Sequence, residues 1–346
     1  MNRFTVKPEI VIGSRIGHCL YSDFLFAVTL RDEERTGTVE ERYIVVVGGL
    51  NMDLAGICGD VYRPHDSNIG EVTMSAGGVG HNIAENLVKL GVPVYLITAY
   101  GDDGFGEILA KECGKDGIRL DDALCVPGGK SCTYLYMTDD QGEMVAAVNA
   151  MELIRRITPE FLAGKMDRIN HAALCIFDAN IPEESIRYLA QNCRVPLFAD
   201  PVSAAKVGRI ESSLCHIDTL KPNSMEAEIL TGIHVENEKT ASLAAHALFE
   251  RGVKNVFISM GADGIFCFRE GEECLVPVQK THIVSVNGAG DTTMAAIAWI
   301  RFKYGSEIDL ETIGRITQAA ACITLESEES VSPYLSEEQI LKRMEA

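Results

Sequence analysis

Short apolar runs alternate with amphipathic segments along most of the chain. Five runs have the length and composition of buried parallel strands, namely 44–47, 94–99, 173–177, 196–199 and 256–259. The amphipathic segments predict helices over 82–90, 105–113, 183–191, 224–230, 240–250 and 312–325. This alternation predicts an α/β fold with a doubly wound, mostly parallel sheet flanked by helices.

Two segments, about 58–75 and 130–148, lack helical periodicity and alternate polar with apolar residues. They predict strands outside the main sheet, and both flank Gly-rich loops, so we expect a small β-strand lid. Exposed strand edges can pair with a second copy, which makes a homodimer through the lid one expectation. Residues 1–42 form an N-terminal extension to which we assign no role, and one domain is expected over 43–346.

The composition limits the kinds of partner and the cellular setting that we expect for the protein. The 346 residues carry a net charge of −19, which disfavours nucleic acid and anionic membranes as partners. The 11 cysteines include no Cys-x-x-Cys pair, as expected for reduced thiols in a cytoplasmic protein. The apolar stretch 19–30 is too short for a membrane span and lacks the flanks of a signal peptide.

The segment 285–297 carries the strongest functional signal. Gly288, Ala289 and Gly290 separate a predicted strand, 282–286, from a predicted helix, 294–300. Small residues at a helix N-terminus leave bare N–H groups, which bind anions and phosphate above all. Asp291 is then either a helix N-cap or a base that takes a proton from an attacking hydroxyl.

Further turns fall where ligands bind in such sheets, beyond the carboxyl ends of the strands. Asn51 and Asp53 are either a capped turn or hydrogen-bond partners for vicinal hydroxyls. Gly77 and Gly78 allow a ligand close to the backbone at a helix entry, where Asn82 projects into the same cavity. We expect His81 to be a loop or surface histidine rather than a metal ligand, since no second ligand follows at helical spacing.

Two later turns each allow two interpretations. Asn223 and Glu226 have the spacing of a capping box, and they can equally hold a hydrated Mg²⁺ through water. Ser259, Gly261 and Gly264 form either a hairpin turn or a contact to nucleotide phosphate or ribose. The Walker A, Rossmann and protein-kinase motifs are all absent.

Taken together and in this order, these blocks resemble the ribokinase-like family, the phosphofructokinase-B carbohydrate and nucleoside kinases, from about residue 43 to 334. Within it, the chain is most similar to the pseudouridine-kinase subgroup, through segments 66–70, 76–87, 178–182, 199–206 and 219–228.

The resemblance implies phosphorylation of a sugar 5′-hydroxyl, that of pseudouridine, with ATP and Mg²⁺ as cofactors. Asp291 would be the general base, and the N–H groups of 288–290 would stabilise the transferring phosphoryl group. The remaining roles would be divided among substrate binding (Asn51, Asp53, Gly77, Gly78, Asn82 and Lys206), nucleotide binding (Asn223, Ser259, Gly261, Gly264, Gly288 and Gly290) and water-mediated metal binding (Asn223 and Glu226).

The chain departs from the family pattern at two places. Ser285-Val286-Asn287 replaces the frequent Asp-Thr-Thr, and the loss of that acid argues against the monovalent-cation site that the resemblance would otherwise imply. His81 stands where pseudouridine kinases commonly have Arg, so base preference can differ. Two alternatives therefore stay open: a kinase for another nucleoside or sugar, and a non-catalytic nucleoside or sugar sensor.

Overall fold

A computed structural model describes residues 42–59 and 61–345. The expected extension 1–42 lies outside these residues except for Arg42. The described strands are β1 (Ile44–Val47), β2 (Asn51–Cys58), β3 (Gly70–Gly77), β4 (Val94–Ile97), β5 (Ala99–Gly101), β6 (Leu124–Val126), β7 (Thr133–Thr138), β8 (Met144–Ala150), β9 (Leu174–Asp178), β10 (Leu197–Asp200), β11 (Thr219–Leu220), β12 (Asn255–Ser259), β13 (Ile265–Arg269) and β14 (Glu272–Val276).

Eight of these strands form the main sheet, in the order β14-β13-β12-β11-β10-β9-β1-β4. From β4 to β12 every neighbouring pair is parallel, whereas β13 pairs antiparallel with both β12 and β14. All four residues of β1 are buried, as expected for a strand covered on both faces. The five predicted central strands are confirmed, although the run 94–99 ends its sheet pairing at Ile97.

Helices follow the strands closely, as the sequence predicts. They are α1 (Val79–Lys89), α2 (Gly104–Lys115), α3 (Pro159–Ala163), α4 (Met166–Asn170), α5 (Glu183–Asn192), α6 (Ser224–Thr231), α7 (Glu238–Glu250), α8 (Ala289–Tyr304), α9 (Leu310–Leu325) and α10 (Glu337–Met344). In the part of the chain described here, each helix is too short or too polar to cross a membrane.

A second sheet has the order β3-β2-β7-β8. Strand β2 pairs antiparallel with β3 but parallel with β7, and β7 pairs antiparallel with β8. Strand β2 was not predicted, because 48–53 reads as a turn; it carries Asn51 and Asp53 out of the main sheet. Every residue of β8 is exposed, so this sheet has little covering of its own.

The predicted strand 282–286 is wrong, because these residues form a loop. The backbone N–H groups of Val284 and Ser285 donate to the carbonyl of Leu325, at 2.7 and 3.2 Å. Val286 is 71% exposed, so its apolar side chain marks no buried strand. The loop is anchored to the end of α9 rather than to a neighbouring strand.

Candidate active site

The N-terminus of α8 has the geometry of an anion site. Gly288 is its N-cap, with a φ of 75°, and Ala289 and Gly290 open the helix. The first N–H groups of a helix have no intrahelical partner and lie at the positive end of its dipole. A Cβ on Gly288 would overlap the carbonyl oxygen of Ser330, so this turn requires glycine. The alternative reading of Asp291 as the N-cap is wrong, since it lies in the first turn.

Asp291 is paired with Asn82 across two helices. The side-chain Nδ2 of Asn82 donates to Asp291 Oδ2 at 2.7 Å, and α1 packs against α8. Burial and the nearby Asp200 raise the pKa of Asp291 to about 7, against the lowering effects of Asn82 and Lys221. A carboxyl group with this pKa can accept a proton near neutral pH.

A buried lysine, Lys221, lies beside the anion site. Its Nζ is 3.2 Å from Asp200 Oδ2, and both side chains are almost fully buried. The same Nζ lies 3.5 Å from where a Cβ of Gly290 would be. Burial lowers the pKa of Lys221, but Asp200, Glu226 and Asp291 outweigh it and raise the pKa overall. Lys221 is therefore a cation able to neutralise charge on an anion held by α8.

Lys221 and Asp200 were not predicted as site residues, although both lie inside segments that carry the resemblance. Asp200 is the last residue of β10, and Lys221 directly follows β11. The rule that ligands bind beyond the carboxyl ends of parallel strands would have selected both.

Asn223 and Glu226 form the predicted capping box at the start of α6. Asn223 Oδ1 accepts from the Glu226 N–H at 2.9 Å, and Glu226 Oε2 accepts from the Asn223 N–H at 2.8 Å. Burial raises the pKa of Glu226, against the effects of the Asn223 N–H and Lys221. The second carboxylate oxygen, Oε1, is not used by the box, so the residues fit a metal ion held through water.

The turn after β12 is a hairpin. Gly261–Asp263 forms a short 3-10 helix, and Gly264 has a φ of 100°. A Cβ on Gly264 would overlap the carbonyl oxygen of Val276, which gives this glycine a folding role. Ser259 bridges to Asn223, and its N–H donates to the Pro222 carbonyl at 2.9 Å. Contacts of this turn to a nucleotide remain a prediction.

The predicted sugar-binding residues meet where β2 and β3 pair. Asn51 Nδ2 donates to Asp53 Oδ1 at 2.5 Å, and Asn51 pairs with Gly77 in the sheet. Burial raises the pKa of Asp53 to about 6, although the hydrogen bond from Asn51 lowers it. A Cβ on Gly78 would lie 2.9 Å from Asn51 Oδ1. Four predicted residues therefore lie close together at the start of β2 and the end of β3.

Lys206 lies in a neighbouring cavity of about 430 Å³. Its Nζ donates to Asn180 Oδ1 at 2.6 Å. The N–H of Asn180 in turn donates to Asp178 Oδ1, and Asp178 Oδ2 accepts from the Gly49 N–H, both at 2.8 Å. Burial lowers the pKa of Lys206, against the opposing effect of Asp178. Asp178 and Asn180, which link Lys206 to the Gly49 turn after β1, were not predicted as site residues.

His81 is not a loop or surface residue, and this prediction is wrong. It lies in the first turn of α1 and is 1% exposed. Its backbone N–H donates to the Gly49 carbonyl at 3.0 Å, which ties the start of α1 to the turn after β1. The helix begins at Val79, earlier than predicted, which places His81 in the interior.

Comparisons with known proteins agree with this arrangement. The family model described as pfkB family carbohydrate kinase matches residues 41–337. Pseudouridine kinase of Escherichia coli K12 is 34% identical over 311 residues, covering 88% of this chain and 97% of that protein. An uncharacterized sugar kinase of the same strain, YeiI, is 33% identical over 304 residues, covering 87% and 83%.

The fold is shared with a solved structure of Arabidopsis thaliana ribokinase complexed with ribose and ATP. The TM-score is 0.77 at 23% identity, over 89% of this chain and 100% of that one. The predicted ribokinase-like fold is therefore confirmed. The chain belongs to the pfkB family of carbohydrate kinases, and it is a phosphotransferase with an alcohol acceptor.

Proposed function

We propose that the chain transfers the γ-phosphoryl group of ATP to the 5′-hydroxyl of pseudouridine. The observation that carries the proposal is Asp291, held by Asn82 beside the N-terminus of α8, with a pKa of about 7. The relative that names the substrate is 34% identical over nearly its whole length.

Each residue then has a chemical task. Asp291 accepts the proton of the attacking hydroxyl, and the N–H groups of 288–290 together with Lys221 stabilise charge on the transferring group. Asn51, Asp53, Gly77, Gly78 and Asn82 hold the ribose, and Lys206 binds on the substrate side.

The nucleotide side of the proposal uses the turns after β11 and β12. Asn223, Ser259, Gly261 and Gly264 contact ATP there. A Mg²⁺ ion, whose charge would screen the phosphates, is held by Asn223 and by Glu226 through water.

A second acceptor class is favoured by one observation. YeiI, named as a sugar kinase, is almost as similar to the chain as pseudouridine kinase is. A kinase for another nucleoside or a free sugar is therefore the alternative.

The decisive experiment is a coupled ADP-release assay with MgATP and purified protein. Pseudouridine is compared with uridine, cytidine, adenosine and ribose as acceptors. Selective turnover of pseudouridine supports the proposal, whereas turnover of another acceptor overturns the substrate assignment and keeps the kinase.

The variant D291N tests the base in the same assay. It keeps an oxygen that can accept from Asn82 but removes the proton acceptor, so we expect a loss of kcat of roughly 10²–10⁴-fold. The matched variant D167N changes an acid on α4 whose side chain is 94% exposed and that has no proposed role in the site, so it is expected to retain activity. Near-native turnover by D291N would contradict the proposed base.

We also propose a homodimer formed through the second sheet. Its edge strands β3 and β8 expose apolar side chains on Val72, Met74, Met144 and Val148. Unpaired edges and uncovered apolar residues together favour pairing with another copy.

A further inference from the structure

A three-residue cluster joins α1 to the C-terminus of α2, next to the candidate active site. His81 and Glu85 are one helical turn apart on α1, and Asp116 caps the C-terminus of α2. One ligand atom from each residue lies within 4.8 Å of the others. No other group of this kind occurs among the residues that the structure describes.

The His81 ring is unsatisfied. It is 1% exposed, and its Nε2 has no hydrogen-bond partner within the described part of the chain. Its Nδ1 makes only a long contact of 3.4 Å with Asn82 Oδ1. A buried polar nitrogen without a partner costs free energy. A ligand from outside the described residues that binds Nε2 would recover this free energy.

The surroundings favour a cation as that ligand. Glu85 and Asp116 are half-buried, which leaves the cluster reachable from solvent. One cation, Lys89, approaches Glu85 at 3.5 Å, while Glu329 adds a further negative charge nearby. The local charge is therefore negative, and the donors are an imidazole and two carboxylates.

We propose that His81, Glu85 and Asp116 bind a divalent transition-metal ion of the Zn²⁺ class, at a site separate from the Mg²⁺ of the reaction. Zinc binds imidazole nitrogen and carboxylate oxygen at about 2.0–2.2 Å, in sites with three protein ligands and water in the fourth position. The three ligand atoms lie within 4.8 Å of one another, so they need to approach one another only slightly to share one ion at these bond lengths. Mg²⁺ prefers an all-oxygen shell and does not compete well for the imidazole.

Metal binding here would act on the active site through one residue. The His81 N–H is bonded to the Gly49 carbonyl, and the next residue, Asn82, donates to Asp291. A metal that holds His81 and Glu85 together fixes the first turn of α1. Asn82 is thereby restrained against Asp291.

The test is a zinc titration of chelator-treated full-length protein, without nucleotide or nucleoside and with excess Mg²⁺, against a chromophoric chelator. We expect one zinc ion that competes with the chelator, and a loss of affinity of at least roughly tenfold in H81Q, E85Q and D116N. Co²⁺ in place of Zn²⁺ should give visible d–d bands that H81Q abolishes. Because activity is not measured, this result is independent of the proposed function.

Two control variants separate this site from others. H234Q removes an exposed histidine that pairs with Glu228 at 2.8 Å and should leave zinc affinity unchanged. D291N should also leave it unchanged, since Asp291 belongs to the reaction site. Loss of binding in D291N, or wild-type binding in E85Q and D116N, overturns the proposal. Those two half-buried positions decide the outcome even if H81Q fails to fold.

Discussion

At the scale of single residues, the site depends on carboxyl groups held away from water. Burial raises the pKa of Asp291 to about 7 and the pKa values of Asp53 and Asp178 to about 6. Each of these acids keeps at least one N–H donor, from Asn82, Asn51 or the Gly49 backbone. The donors orient the carboxylates. Burial makes these carboxylates stronger bases than the carboxylates of exposed acidic residues.

The pKa of Asp291 predicts the pH dependence of activity. A general base works only when ionised, so kcat/KM should rise as the pH increases through about 7 and level off above it. The hydrogen bond from Asn82 lowers the pKa of Asp291, so N82A should move this rise to higher pH as well as reduce the rate. Rates measured from pH 5 to about 9 check both, and an unshifted profile in N82A would argue against Asp291 as the titrating group.

The same shift predicts a stability effect with a definite sign. The folded pKa of about 7 lies above the ordinary value of 3.8 for this carboxyl group, so the folded state binds more protons between these values. This contribution to stability is fully present below pH 3.8 and is lost as the pH rises through about 7. At alkaline pH, D291N should therefore be more stable than wild type by roughly 1–4 kcal/mol and should unfold at a higher temperature. Equal thermal stability of the two proteins in alkaline buffer would contradict it.

At the scale of elements, most of the candidate site residues lie at or just before the first turns of three helices. Helix α8 begins at a glycine in the left-handed region, α1 begins after Gly78, and α6 begins with a capping box. Two of these starts carry the pair Asn82 and Asp291. The loop before α8 is tied to α9 at Leu325 rather than paired as a strand. The position of α8 therefore depends on helix packing as well as on the sheet.

Two glycines at the start of α8 should respond differently to alanine. In G288A, the new Cβ overlaps the Ser330 carbonyl and φ is 75°, so we expect a loss of stability of at least ~2 kcal/mol together with activity. In G290A, the nearest atom is Lys221 Nζ at 3.5 Å, an ordinary contact. That variant should unfold at the wild-type temperature yet lose turnover, because its methyl group occupies the space where phosphate approaches. Thermal unfolding and ADP release on both variants distinguish the two effects.

At the scale of the whole molecule, the two sheets carry different parts of the candidate site. The main sheet places Asp178, Asp200, Lys221 and Ser259 at the carboxyl ends of neighbouring strands. The second sheet brings Asn51 and Asp53 to this edge and exposes β3 and β8. Closure of that sheet over the acceptor would exclude water, which otherwise competes for the phosphoryl group.

The second sheet yields the prediction for the assembly. Lysine at Met74 and Val148, on the two edge strands, should convert a dimer to a monomer, because charge on an edge opposes strand pairing. Sedimentation velocity measures this, with I229K on the exposed face of α6 as a matched control. A wild-type protein that sediments as a monomer would contradict the proposed dimer.

Closure of the second sheet over the acceptor predicts that ATP hydrolysis without acceptor is much slower than turnover with acceptor. Equal rates would contradict closure.

Local patterns were sufficient for features whose cause lies within a few residues. The apolar runs predicted the parallel strands because burial on both faces requires them, and Asn223 with Glu226 predicted a capping box because its bonds span three residues. The Gly-Ala-Gly-Asp order likewise predicted a helix start with bare N–H groups, which is a local property.

Other features exist only because distant segments meet. Asn82 and Asp291 are 209 residues apart in sequence, and no local pattern reports that α1 packs on α8. Lys221 pairs with Asp200 at the end of the adjacent strand, and His81 is buried in α1, where its backbone N–H donates to the distant Gly49 carbonyl. The strand 51–58 forms because β3 and β7 are there to pair with it. Pairing, burial and the pKa shifts that follow from them are properties of neighbours in space, so tertiary structure decided them.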